Sequence, residues 1–171
     1  MKNVIKSFYL IGLVLLMSCA QAQSIKIGHV DSNAIMNLMP ERTQVEKQLE
    51  DFQTQLEAEL RTMMTEYQKK VTDYQNSVGT MSNLIKQSKE KEITDLQMRI
   101  QDFQQNAEDE FADKRIELLK PIVDKVKKAI EDVGKENNYT YIIDASMGVL
   151  LYTGTNADDV TSLVKAKLNI K

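Results

Sequence analysis

His29 and Asp31 stand two residues apart, and an imidazole beside a carboxylate is the minimum for general acid–base work. Asp158-Asp159 is an adjacent carboxylate pair, and Cys19 is the sole thiol. Each has a simpler reading. His29 is the only histidine, so no histidine-pair metal site can form. We expect it to pack at the edge of a small body while Asp31 caps the next helix. Acids just ahead of an apolar-periodic run, as at Asp158-Asp159, are helix starters. Neither a G-x-x-x-x-G-K-[ST] run nor a G-x-G-x-x-G run after a strand occurs, so no nucleotide site is expected. The sequence points away from an enzyme, with no catalytic, cofactor or metal residues to assign. The sequon Asn138-Tyr139-Thr140 lies in a segment that reads as a strand, and carries little weight.

Cys19 belongs to an N-terminal export pattern. Lys2 and Lys6 form a basic start, Phe8 to Met17 an apolar stretch too short to span a bilayer, and Ala20-Gln21-Ala22 a cleavage site. Residues 1–22 read as a cleavable signal peptide that directs the chain to the periplasm. The alternative is a lipoprotein acylated at Cys19, since Leu16-Met17-Ser18-Cys19 resembles a lipobox with Met17 a poor fit. Cleavage after Ala22 leaves no cysteine, hence no disulfide. The formal charge of −3 becomes about −5 once Lys2 and Lys6 are gone. An acidic chain is unsuited to general nucleic-acid binding. Aromatic residues make up 6% and Trp is absent, thin for a single core.

The elements that would position any function are dominated by one pattern. Val45, Leu49, Phe52, Leu56, Leu60, Met63, Tyr67, Val71, Tyr74 and Val78 step four and three residues apart, with Val45, Leu56, Tyr67 and Val78 each separated by eleven. An eleven-residue repeat gives 3.67 residues per turn, so its seam runs nearly straight or coils gently right-handed. Ile85, Leu96, Ala107 and Leu118 repeat the period, with Ile100, Phe103 and Phe111 between them. The second stripe is weaker: its register includes Lys89, Glu92 and Lys114, with Ile93 able to replace Glu92. The two registers mirror each other about the Gly79–Asn83 break, punctuated by Gly79 and Ser82. They predict a long antiparallel helical hairpin, residues 45–118, with its tip near 79–83. At 1.5 Å per residue this arm is roughly 50 Å long.

The rest predicts a small α+β body from residues 23–44 together with 119–171. Ser24 to Asp31 alternates as a strand with Ile25 and Ile27 on one face; a short helix then carries Ile35, Leu38 and Met39, and Pro40-Glu41 opens the arm. Pro121 should kink or restart the returning helix, whose next face is Ile122, Val126, Ala129, Ile130 and Val133. Asn137-Asn138 suits a left-handed C-terminus. Tyr139 to Asp144 and Val149 to Tyr152 read as strands joined by a turn, and Asp158 or Asp159 starts a last helix bearing Val160, Leu163, Val164 and Leu168. A body this small, with open strand edges, should oligomerise.

These segments, in this order, resemble a known family. The carriers are Ile27-Gly28-His29-Val30-Asp31, Met39-Pro40-Glu41, Leu119-Lys120-Pro121-Ile122-Val123, the run Tyr139 to Ser146 with Leu150-Leu151-Tyr152, and Asp159-Val160-Thr161 with Val164 and Leu168. The family is the OmpH-like, or Skp, periplasmic chaperones, and the resemblance covers essentially the whole mature chain. It implies a homotrimer whose small bodies join through their strands and whose hairpins hang around a cavity. It also implies an ATP-independent holdase that takes unfolded outer-membrane proteins as partners, without cofactors. Familiar members are strongly basic, whereas this chain is acidic, which puts lipid or lipopolysaccharide contact in doubt. Its charge is uneven. Six acids face two bases over Glu41–Leu60, and seven acids face three bases over Asp95–Leu118, but six bases exceed four acids over Arg61–Thr94.

Burial of each seam Leu or Phe is worth about 1.5–3 kcal/mol, so the seam should stay zipped and client contacts should lie outside it. Met64, Met81, Leu84 and Met98 are the candidates, because methionine suits promiscuous surfaces. The rival reading is a structural or adaptor coiled coil of the cell envelope.

Overall fold

The computed structural model describes residues 25–170. The proposed signal peptide, its cleavage site and Cys19 lie outside the described residues. The elements run β1 (Ile27–Val30), α1 (Ser32–Asn37), α2 (Glu41–Ser77), α3 (Asn83–Glu136), β2 (Tyr141–Asp144), β3 (Asp158–Asp159) and α4 (Thr161–Lys167). Helices α2 and α3 form the antiparallel hairpin; the remaining elements gather at its open end. At 1.5 Å per residue α2 is about 55 Å long and α3 about 80 Å. No described helix is both long and apolar enough to cross a membrane.

The sheet has the order β2-β1-β3, and both neighbours of β1 run parallel to it. Ile27 pairs with Tyr141 and Val30 with Asp144 on one side; Gly28 pairs with Asp158 and His29 with Asp159 on the other. The expected hairpin of two strands after Tyr139 is therefore corrected. Val149–Tyr152 is not a strand: a turn in which the Gly148 N–H reaches Ala145 O, with Gly148 at φ +69°, leads the chain away from β2. The third strand is instead Asp158–Asp159, so these acids do not start the helix themselves. Asp159 still serves the helix, its Oδ1 accepting from the Thr161 N–H at 2.9 Å.

The body core gathers Val30, Ile35, Met39, Val45, Ile122, Val126, Ala129, Val133, Val160 and Val164. Gly28 is needed where β1 passes beneath Tyr139 and Val160, since a Cβ there would meet the Tyr139 ring at 3.0 Å and Val160 Cγ1 at 3.2 Å. Ile25 and Ile27, expected to share a face of the strand, are both exposed; Val30 provides the strand's contribution to the core.

Pro121 neither stops nor restarts the helix. α3 runs through it for 54 residues. Proline inside a helix costs roughly 3 kcal/mol. The next three turns place Ile122, Val126, Ala129 and Val133 in the core, and burial of two or three such side chains offsets that cost. One continuous helix thus serves as both returning arm and body scaffold. It ends at Asn137, followed by Asn138 at φ 56°, the left-handed residue the paired asparagines suggested.

Asp31 caps α1, its Oδ1 accepting from the Ala34 N–H at 2.8 Å. Asp144, at the end of β2, receives the Ser32 hydroxyl at 2.5 Å and the Ser146 N–H at 3.0 Å, tying α1 to the far end of the chain. Burial, the largest single influence, pushes the Asp144 carboxyl upward, but these hydrogen bonds together outweigh it and hold it below its usual value.

Candidate functional site

The arm is the part of the molecule with a surface to offer. Along α2 the periodic residues face α3. Val45 and Met63 are buried, and Leu49, Phe52, Leu56, Leu60, Tyr67, Val71 and Tyr74 are half-buried. Opposite them Leu96 is 3% exposed, and Ile100, Phe103, Ala107, Phe111 and Leu118 are half-buried. Side-chain contacts across the hairpin fix the register: Glu41 meets Lys125, Lys70 meets Glu92, and Tyr74 donates its hydroxyl to Glu90.

Near the tip the seam changes character. Ile85, placed in the second stripe by its spacing, is exposed rather than packed. Ionic contacts stand where apolar ones run out. Lys89 approaches Glu92 at 3.0 Å and Lys70 approaches it at 3.4 Å, holding the Glu92 carboxyl below its usual value, with the Lys89 hydrogen bond the stronger cause. The Glu90 contact raises the Tyr74 hydroxyl. The turn is closed by Ser82, whose hydroxyl caps α3 at Ile85 N–H.

The four methionine and leucine candidates are placed differently. Leu84 is 78% exposed on the first turn of α3, and Met64 and Met98 are 54% and 51% exposed on the two shafts. Met81 is half-buried in the turn.

Met64 has a surrounding that spacing arguments missed. It lies in a groove of about 780 Å³ along α2, floored by Leu60 and Met64 and walled by Glu57, Arg61, Gln68 and Lys69. Glu57 and Leu60 also border a second groove of about 620 Å³, which continues toward the body between α2 and α3 over Leu56, Phe103, Ala107 and Phe111. The signal was present in the sequence: Arg61, Met64 and Gln68 follow helical spacing one step beside the seam. A second surface lies in the body. Met147, Val149, Leu151 and Tyr152 between β2 and β3 are all exposed, Leu151 at 96%.

The chemistry-bearing residues of the body serve the fold. His29 is half-buried in the central strand and lines a recess of about 340 Å³ with Asp31, Tyr152, Asp159 and Thr161. Asp31 and Asp159 are already engaged, capping α1 and accepting from Thr161. The hydrogen bonds from Thr161 are the main cause holding the Asp159 carboxyl low, and His29 adds a smaller contribution. No cluster of three or more metal-ligating side chains occurs among the described residues.

A profile of OmpH-like outer membrane proteins matches residues 26–168. No curated protein matches the sequence significantly. Among solved structures, the chain is similar to an OmpH-like candidate outer membrane chaperone from Caulobacter crescentus, with a TM-score of 0.68 and 16% identity over 84% of this chain and 83% of that one. At that identity the structural likeness speaks for the fold, and the profile match supplies the kinship. The chain belongs to the OmpH-like (Skp) family of outer membrane proteins.

Proposed function

We propose that this protein is an ATP-independent holdase that binds unfolded outer-membrane proteins in the periplasm and keeps them from aggregating. The observation that carries the reading is the long projecting hairpin, which zips its own seam yet leaves Met64, Leu84 and Met98 facing outward. Those three residues, with Met81 at the turn, are the proposed client contacts. Each contact is weak, and several arms held on one base would add them through effective concentration. Weak, plural contacts allow release without fuel.

The working form in this reading is a homotrimer joined through the body. The support is the segment Met147–Tyr152, whose apolar run suits a strand and which pairs with no strand among the described residues. A neighbouring copy would supply the missing pairing and cover Leu151 and Tyr152. The export pattern read in residues 1–22 supports a periplasmic location, where such clients travel.

The test is aggregation of an unfolded β-barrel protein diluted from urea. One client per trimer should stay soluble without nucleotide. Unchanged aggregation at threefold excess of trimer rejects the holdase reading.

A further inference from the structure

The arm sorts its charge along its length. The half nearer the body, Glu41–Leu60 with Asp95–Leu118, carries thirteen acids and five bases, while Arg61–Thr94 around the tip has a small excess of bases. At net −8 that half is more negative than the mature chain as a whole. Among the described residues only three of its acids sit in ion pairs: Glu41 with Lys125, Glu46 with Arg42 and Glu117 with Lys114. Ten carboxylates are left without a cation, against three bases, Lys47, Arg99 and Arg115, without an acid. Like charges even recur at the four-residue spacing that destabilises a helix, at Glu46 and Glu50 and at Asp109 and Asp113. A cationic ligand would relieve that repulsion.

The groove of about 620 Å³ between α2 and α3 lies in this half. Its floor is built from Leu56, Leu60, Phe103 and Phe111, seam residues that are only half-buried, so their outer edges stay open. The charged residues of its lining are Glu57 and Glu108, one from each helix and both exposed. Glu57 accepts from the Gln53 amide at 2.8 Å, a neutral partner that leaves its charge in place. The next bases along the two helices, Arg61 and Arg115, are not part of that lining. The groove therefore offers apolar contact between two rims of one sign.

We infer that this groove takes client segments in which apolar side chains are flanked by lysine or arginine, in preference to neutral or acidic segments of equal apolar content. The apolar side chains cover the floor, and the cations meet Glu57 and Glu108 at the rims. This deepens the holdase reading and rests on it, because it gives the client segment a sign of charge. At physiological salt, fields beyond about 8 Å are screened, so the two rim acids set the preference and the rest of the shaft adds to it only at low salt.

Three capped pentapeptides test it on the full mature chain: Lys-Leu-Thr-Leu-Lys, Gln-Leu-Thr-Leu-Gln and Glu-Leu-Thr-Leu-Glu. Binding is read from the Leu56 methyl resonances, which report on the groove floor. At physiological salt the Lys peptide should bind about fivefold more tightly than the Gln peptide, as two exposed ion pairs of ordinary strength imply, and the Glu peptide should bind most weakly. Glu57→Gln with Glu108→Gln should bring the Lys peptide to within twofold of the Gln peptide and leave the Gln peptide's own affinity unchanged. Asp51→Asn with Asp109→Asn removes two acids outside the lining and should keep the fivefold preference. Equal affinities for the three peptides, an equal loss of preference in both double variants, or Leu56 methyls that no peptide shifts overturn the inference. The aggregation assay separates the two claims. Indifferent or silent Leu56 methyls with aggregation still suppressed defeat the charge preference alone; failure of the wild type to suppress aggregation defeats the holdase reading.

Discussion

Leu96→Ala should loosen the arm and leave the body untouched. Leu96 is 3% exposed and is among the most deeply buried side chains of the seam. Truncating a buried leucine costs about 2–5 kcal/mol, depending on how far the surroundings close over the cavity. Two helices flanked by solvent can close readily, so the lower end applies, about 2 kcal/mol. At 1.4 kcal/mol per factor of ten, local opening becomes roughly thirtyfold more frequent. Amide hydrogen exchange reads this directly. Amides around Leu96 and its partners on α2 should exchange roughly thirtyfold faster, while those of Ile27–Val30 and Tyr141–Asp144 keep their rates. Those strands rest on a separate core of Val30, Ile35, Val126, Val160 and their neighbours. Leu84→Ala, at an exposed tip position, is the control and should change neither region. Equal acceleration in arm and body would mean that the two unfold as one unit, and no acceleration would mean that Leu96 does not hold the seam; either refutes the argument.

Gly28→Ala should destabilise the body by about 1–3 kcal/mol in urea unfolding, because the added methyl meets Tyr139 and Val160 at 3.0–3.2 Å. The carboxyls of Glu41, Glu92, Glu131, Asp144 and Asp159 are all held below their usual values. Their stabilising contribution is full above the ordinary carboxylate range and is lost as pH falls through their lowered values. Acid titration of unfolding should show that loss, with a shallower slope for Asp144→Asn. Leu151→Asp should lower the mass measured by light scattering without loss of helical signal, if neighbouring copies meet at that segment. Met64→Asp with Leu84→Asp should weaken suppression of client aggregation several-fold while melting at the wild-type temperature, since both side chains are exposed.

The hairpin was legible because its information is local. A stripe repeated every eleven residues, mirrored about the Gly79–Asn83 break, carries its own register, and interhelix contacts such as Lys70–Glu92 and Glu41–Lys125 follow that mirror. Asp31 as a cap was equally local. What spacing misjudged depends on distant partners. Val149–Tyr152 has the apolar residues of a strand but pairs with no strand among the described residues, whereas the two acids at Asp158–Asp159 become a strand because β1 lies alongside. Pro121 looks like a break until the core on its far side is counted. The groove around Met64 was missed because attention to the seam assigns its flanking positions to solvent.

The order of the sheet also bears on how the chain reaches its final form. β1 is made first, yet it lies between β2 and β3, which are among the last segments synthesised. Tyr141 must return to Ile27 before the central strand has any neighbour. Closing so large a loop in a flexible chain is slow. Zipping of α2 on α3 proceeds through progressively short-range steps and carries the two ends of the intervening stretch to within reach of each other. The limb is therefore the folding guide for its own base, and a chain arrested during synthesis before Tyr141 would hold a formed hairpin with an unpaired β1. Pulse-labelling exchange should find the shaft protected before Ile27–Val30.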